Sequence, residues 1–150
     1  MDKKIILLVE DDELDVISVR RSLNKLGIPY ELYTAFNGIE ALDILCGRAD
    51  KTPAESLPHL ILLDINMPKM NGIEFLKKLR ADPKLHHIKV FVMTTSGEQQ
   101  DRSEMQKLGI SGYLVKPLNY NNNQKKADSM DGFFQFNIAK ILRDDNPDKS

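Results

Sequence analysis

Apolar runs of strand length alternate along this chain with stretches in which apolar residues recur at helical spacing, and the pair repeats five times. Such alternation is the pattern of a parallel sheet wrapped by helices on both faces, an α/β doubly wound fold with a five-stranded parallel sheet and five helices. Ile5-Ile6-Leu7-Leu8-Val9 is continuous and rich in branched residues, as a central strand covered on both sides requires. Leu14, Ile17, Val19, Leu23 and Leu26 follow at roughly helical spacing, and Gly27 with Pro29 supplies the stop. Residues 30–35 read as the second strand. Asn37 is placed to cap a short helix carrying Ile39, Leu42 and Leu45 and ending near Gly47.

The polar stretch 48–58, with two prolines, reads as a surface loop. Leu60-Ile61-Leu62-Leu63 is the third strand and stops abruptly at Asp64. Ile73, Leu76 and Leu79 predict a helix over 72–80 that Asp82-Pro83 breaks. Val90-Phe91-Val92-Met93 is the fourth strand, 99–108 a mostly polar fourth helix, and Tyr113-Leu114-Val115 a short fifth strand. Beyond it, only Phe134, Ile138, Ile141 and Leu142 give a clear helical stripe, so the fifth helix begins near Asn119 or near Asp131; a continuous helix with a frayed start is favoured. One domain over 1–143 is expected, and 144–150, charged and containing Pro147, reads as a disordered tail.

Composition narrows the function. The 150 residues carry 21 Lys plus Arg against 22 Asp plus Glu, so no basic footprint of a nucleic-acid binder is present. The longest apolar runs fall far short of the roughly 20 residues of a spanning helix, and the start lacks the features of a secretory signal. A cytoplasmic protein is expected. The single cysteine, Cys46, excludes an internal disulfide and reads as a small apolar helix residue. His59, His86 and His87 sit on loops without metal-ligand spacing and read as surface residues.

In a doubly wound sheet the functional groups gather at the carboxyl ends of the strands. There stand Glu10, Asp11 and Asp12 after the first strand, Asp64 after the third, Thr94, Thr95 and Ser96 after the fourth, and Lys116 after the fifth. Carboxylates brought together hold protons or bind a cation, and hard oxygen donors without cysteine favour Mg2+. Magnesium keeps positions open for phosphate oxygens, an aspartate can itself act as a nucleophile, and a lysine and a hydroxyl can stabilise a phosphoryl group. The ensemble describes phosphoryl transfer. Asp11 and Asp12 also suit a helix N-terminus, through capping and the dipole. Thr94 and Thr95 suit a strand for their branching alone.

The strings Leu8-Val9-Glu10-Asp11-Asp12, Leu63-Asp64-Ile65-Asn66-Met67-Pro68-Lys69-Met70-Asn71-Gly72, Met93-Thr94-Thr95-Ser96 and Gly112-Tyr113-Leu114-Val115-Lys116-Pro117 resemble the receiver domain of two-component response regulators. The resemblance runs from about Lys4 to Leu118 and implies a flavodoxin-like sheet of order 2-1-3-4-5. It implies Asp64 as phospho-acceptor and Asp11, Asp12, Asp64 and the carbonyl of Asn66 as ligands of Mg2+. Thr94 would be the switch hydroxyl, Lys116 the counter-ion of the phosphoryl group, and Tyr113 an aromatic whose rotamer reports the state. The Lys116-Pro117 bond would be cis. The 48–58 loop, the Arg80-Ala81-Asp82-Pro83 turn and Thr94-Thr95-Ser96 are similar to the stand-alone, phytochrome-associated group; Lys89, where that group carries proline, and the Asn-rich 119–131 segment depart from it.

The resemblance implies a phospho-accepting switch fed by a sensor histidine kinase or phosphotransfer protein, with only self-directed phosphoryl transfer and autodephosphorylation as chemistry. Only 34 residues follow Lys116, so the output is expected through the helix 4, strand 5, helix 5 face, to a downstream protein or a second copy as a homodimer, without nucleic acid or membrane. A phosphate-independent adaptor is the first alternative. A small aspartate-nucleophile phosphatase is the second, disfavoured because it needs an acid where Asn66 stands.

Overall fold

The computed structural model describes residues 4–47, 57–65, 72–94, 99–115 and 132–143. The strands are β1 (Lys4–Val9), β2 (Tyr30–Ala35), β3 (Leu60–Asp64), β4 (Lys89–Thr94) and β5 (Gly112–Val115), and all pair in parallel in the order β2-β1-β3-β4-β5. Between them run α1 (Glu13–Asn24), α2 (Gly38–Leu45), α3 (Gly72–Ala81) and α4 (Gln99–Lys107); a π-helical stretch, Phe134–Ile138, then leads into α5 (Ala139–Arg143). The expected order and architecture are those observed.

Successive side chains of a strand point to opposite faces. Leu7, Val9, Ile61, Leu63, Val90 and Val92 therefore face one way, onto Ile44 of α2, Phe75, Leu76 and Leu79 of α3 and Met105 of α4. Ile6, Leu8, Leu60, Leu62, Phe91 and Met93 face the other way, onto Val19 and Leu23 of α1 and Phe134, Ile138 and Leu142 at the C-terminal end. Every residue of β3 is buried, which explains why its sequence is apolar until Asp64. No helix among the described residues is long and apolar enough to cross a membrane.

Several helical positions differ from the pattern. Leu14 and Ile17 are 62% and 52% exposed, whereas Asp15, Val19, Ser22 and Leu23 are buried. At about 100° per residue, Val19 and Leu23 define the inner face, and Leu14 and Ile17 fall nearly opposite it. In α2 the same rotation leaves Ile39 exposed and buries Ala41, Ile44 and Leu45. Asn37 does cap α2, its Oδ1 accepting the Glu40 N–H at 2.8 Å. Cys46 stands at the C-cap of α2 and is exposed rather than packed.

The break after α3 is built by Asp82, whose Oδ1 accepts the Lys84 N–H at 2.8 Å. Arg80 locks this region. Its guanidinium donates to the carbonyls of Leu108 (2.7 Å), His86 (2.7 Å), Ile88 (2.8 Å) and Gly109 (3.1 Å), tying the end of α3 to the start of β4 and to the α4–β5 turn. In the last helical segment, the Ala139 N–H donates to Phe134, five residues back, so an extra residue is accommodated while Phe134 and Ile138 both stay on the sheet. The expected start of this helix near Asn119 lies outside the described residues, as do most of the 48–58 loop and the 144–150 tail.

Candidate functional site

β1 and β3 are the neighbouring central strands, and their register pairs Val9 with Leu63. The residues that follow, Glu10 and Asp64, are therefore level at the carboxyl edge of the sheet. Backbone bonds hold both in place: the Glu10 N–H donates to Ala35 at 2.8 Å, and the Ile65 N–H donates to Met93 at 3.1 Å. Glu10 is fully buried and Asp64 is 2% exposed, an unusual position for acids. Carboxylate oxygens of Glu10, Asp11 and Asp64 lie within 4.8 Å of one another, with Asp11 exposed to solvent.

The structure thus brings together Asp11 and Asp64, as expected, and adds Glu10 to them. Asp12 is not part of this group. Its Oδ1 accepts the Leu14 N–H at 2.9 Å and caps α1, while its own N–H donates to Glu10 Oε2 at 3.2 Å. The pair facing Asp64 is one residue earlier than the expected pair, because the helix begins at Glu13 and takes the last acid before it as its cap. A usable signal was present in the sequence: the acid directly after the apolar run stays in the ladder, and the acid directly before the helix caps it.

Thr94 closes β4, its backbone paired with Val115 of β5, so the fourth and fifth strands end at the same edge as Asp64. Tyr113 is half-buried in β5 and packs against the α2, α3 and α4 side of the core. Asn66 and Lys116 lie outside the described residues, as do Thr95, Ser96, Met67, Met70 and the Lys116-Pro117 bond.

Carboxylates gathered within 4.8 Å repel one another when ionised, and a cation among them relieves that repulsion. The donor set suits a hard divalent ion such as Mg2+ or Mn2+, since all three groups offer oxygen and, among the described residues, no thiolate or imidazole joins them. Exposure of Asp11 leaves one side of the group open to water and to an incoming ligand.

The chain matches the model of the response regulator receiver domain over residues 6–128. It is 35% identical over 133 residues to the response regulator Rcp1 of Synechocystis sp., covering 87% of this chain and 88% of that protein. The phosphorylated cyanobacterial phytochrome response regulator RcpA superposes with a TM-score of 0.80 at 32% identity, covering 93% of this chain and 96% of that one. The Mn2+-bound form of Rcp1 superposes with a TM-score of 0.78 at 33% identity, over 89% and 93% of the two chains. The chain belongs to the response regulator receiver domain family.

Proposed function

We propose that this receiver domain is a Mg2+-dependent phospho-acceptor that works as a switch in a two-component phosphorelay, with Asp64 as the acceptor. The observation that carries the reading is a buried carboxylate at the end of a central strand, its oxygen within 4.8 Å of carboxylates from a second strand end. The Mn2+ of Rcp1 and the phosphorylated state of RcpA support it.

In the reaction, a carboxylate oxygen of Asp64 attacks the phosphorus of a phosphohistidine on a sensor kinase or phosphotransfer protein. The P–N bond breaks, the imidazole leaves, and an aspartyl phosphate remains. Burial at the end of the β3 ladder fixes where the nucleophile stands and limits its conformations. A divalent cation held by Glu10, Asp11, Asp64 and the Asn66 carbonyl would neutralise the charge gathered on the carboxylates and the phosphoryl oxygens. Asp12 holds the α1 N-terminus and thereby the loop that carries Glu10 and Asp11. Thr94, at the end of β4, supplies a hydroxyl to the remaining phosphoryl oxygens, and Lys116, the next residue in sequence after β5, an ammonium. Hydrolysis of the acyl phosphate resets the protein, its only catalytic act.

Signalling follows as a population shift in the segment after Thr94, with Tyr113 reporting the state and the α4, β5, α5 face presented to a downstream protein or a second copy in the cytoplasm. The test is intact mass after incubation with Mg2+ and a small acyl phosphate. One phosphoryl group is expected on the parent and none on Asp64→Asn; an unaffected variant would remove the reading.

A further inference from the structure

At the opposite end of the sheet from Asp64, where β4 begins, lies an open cleft of ≈ 390 Å3 between the α3–β4 turn and the α4–β5 turn. Its lining includes Arg80, His86, His87, Lys89, Lys107 and Ser111 and, among the described residues, no carboxylate. Three fixed positive charges and two imidazoles thus face one concave surface in a chain whose net charge is -1. Arg80 is half-buried and gives its hydrogen bonds to four neutral carbonyls, so its charge is solvated by dipoles without being neutralised. Those same four bonds fix both walls, which makes the cleft preorganised and lowers the ordering cost of a ligand. Lys89 and Lys107 are exposed and free to close on an anion. The volume matches one small phosphorylated molecule, at the lower end of ordinary ligand sites.

We propose that this cleft is a binding site for a small molecule bearing a diphosphate, held by Lys89 and Lys107 over the Arg80 guanidinium, with the His86 and His87 imidazoles and the Ser111 hydroxyl as further donors. A compact, multiply charged group answers a concentrated positive field better than a single carboxylate does, because each added charge gains from the same preorganised donors. Lys89 opens β4 and Met93, beside Asp64, stands four residues on near its far end, so the site is separated from the acid group by about 13 Å along the strand. It is independent of phospho-acceptance.

The test is a titration of the full chain with inorganic pyrophosphate in metal-free buffer, followed by amide NMR shifts and calorimetry, with adenosine diphosphate in a parallel series. Saturable shifts are expected at residues 86–89 and 107–111. The double variant Lys89→Gln, Lys107→Gln should bind at least about tenfold more weakly while keeping the parent's melting temperature, and Asp64→Asn should bind like the parent. Tighter binding of adenosine diphosphate would assign the group to a nucleotide, and tighter binding of pyrophosphate to a free diphosphate. Shifts confined to the acid group, no saturation, or an unweakened double variant would overturn the proposal.

Discussion

Alanine at position 72 would add one methyl group where α3 meets β3, the strand that ends in Asp64, the proposed phospho-acceptor. Gly72 is buried at the start of α3, and its N–H donates to the Ile65 carbonyl at 3.1 Å. A Cβ there would stand 2.6 Å from the Cα of Ile65 and 2.9 Å from the carbonyl oxygen of Asp64. Carbon atoms pack best at about 3.5–4.0 Å, so relief needs a shift of about 1 Å. Both obstructing atoms are backbone, and no side chain can swing aside to give that room. Overpacking of this kind costs about 1–3 kcal/mol, roughly a 5- to 150-fold loss in the folding equilibrium. With a urea slope of about 1–3 kcal/mol per molar, the unfolding midpoint should drop by about 1 M. Because the displaced backbone is that of Asp64 itself, the rate of phospho-acceptance should also fall under conditions where the variant remains folded. Gly112→Ala is the comparison, since its Cβ meets a side chain rather than backbone, a Phe91 ring carbon at 2.9 Å. Circular dichroism in urea and the initial rate of adduct formation read the two effects. An unchanged midpoint together with an unchanged rate in Gly72→Ala would refute the packing argument.

The remaining predictions concern three other sites. Asp12→Asn keeps a capping oxygen and should leave Mg2+ affinity close to the parent's, whereas Asp11→Asn or Glu10→Gln should weaken it by about tenfold or more, measured by calorimetry; the reverse ranking would restore Asp12 as the ligand. Arg80→Ala leaves four carbonyls without their donor and should cost about 3–5 kcal/mol in chemical denaturation, far beyond an ordinary surface substitution. The pKa of His59 is lowered, by burial first and by the nearby Lys4 charge second, and its Nδ1 accepts the Ile5 N–H at 3.1 Å, which requires the neutral ring. The unfolded chain therefore binds more protons here than the folded one, so this contribution is complete above the ordinary histidine pKa of about 6.5 and is lost as pH falls through the lowered value. The melting temperature should show a small drop over that range that His59→Asn reduces; an identical pH profile in the variant would contradict the assignment.

The sheet was legible because its strands are buried on both faces: a continuous run such as Leu60 to Leu63 has no polar position to confuse its reading, and the residue that ends it, Asp64, stands out by contrast. Helix faces were harder. Leu14 and Ile17 match helical spacing with Val19 and Leu23 only loosely, and their exposure follows from a rotation that periodicity in so short a helix cannot fix. The acid pair slipped by one position for a related reason. Glu10, Asp11 and Asp12 are interchangeable in charge, and only the backbone decides that the first stays level with Asp64 while the last turns into the helix cap. Arg80 was legible only as part of the Arg80-Ala81-Asp82-Pro83 turn; its service to carbonyls from two distant turns is a tertiary contact with no local signature.

The most direct test of the account asks which carboxylate carries phosphorus. After reaction with an acyl phosphate in the presence of Mg2+, borohydride reduces an aspartyl phosphate to homoserine, and peptide mass spectrometry locates the altered residue. Homoserine is expected at position 64 alone, dependent on the divalent ion and reduced in Glu10→Gln and Asp11→Asn. Homoserine at position 11 or 12, or a full yield at 64 without any divalent ion, would contradict it.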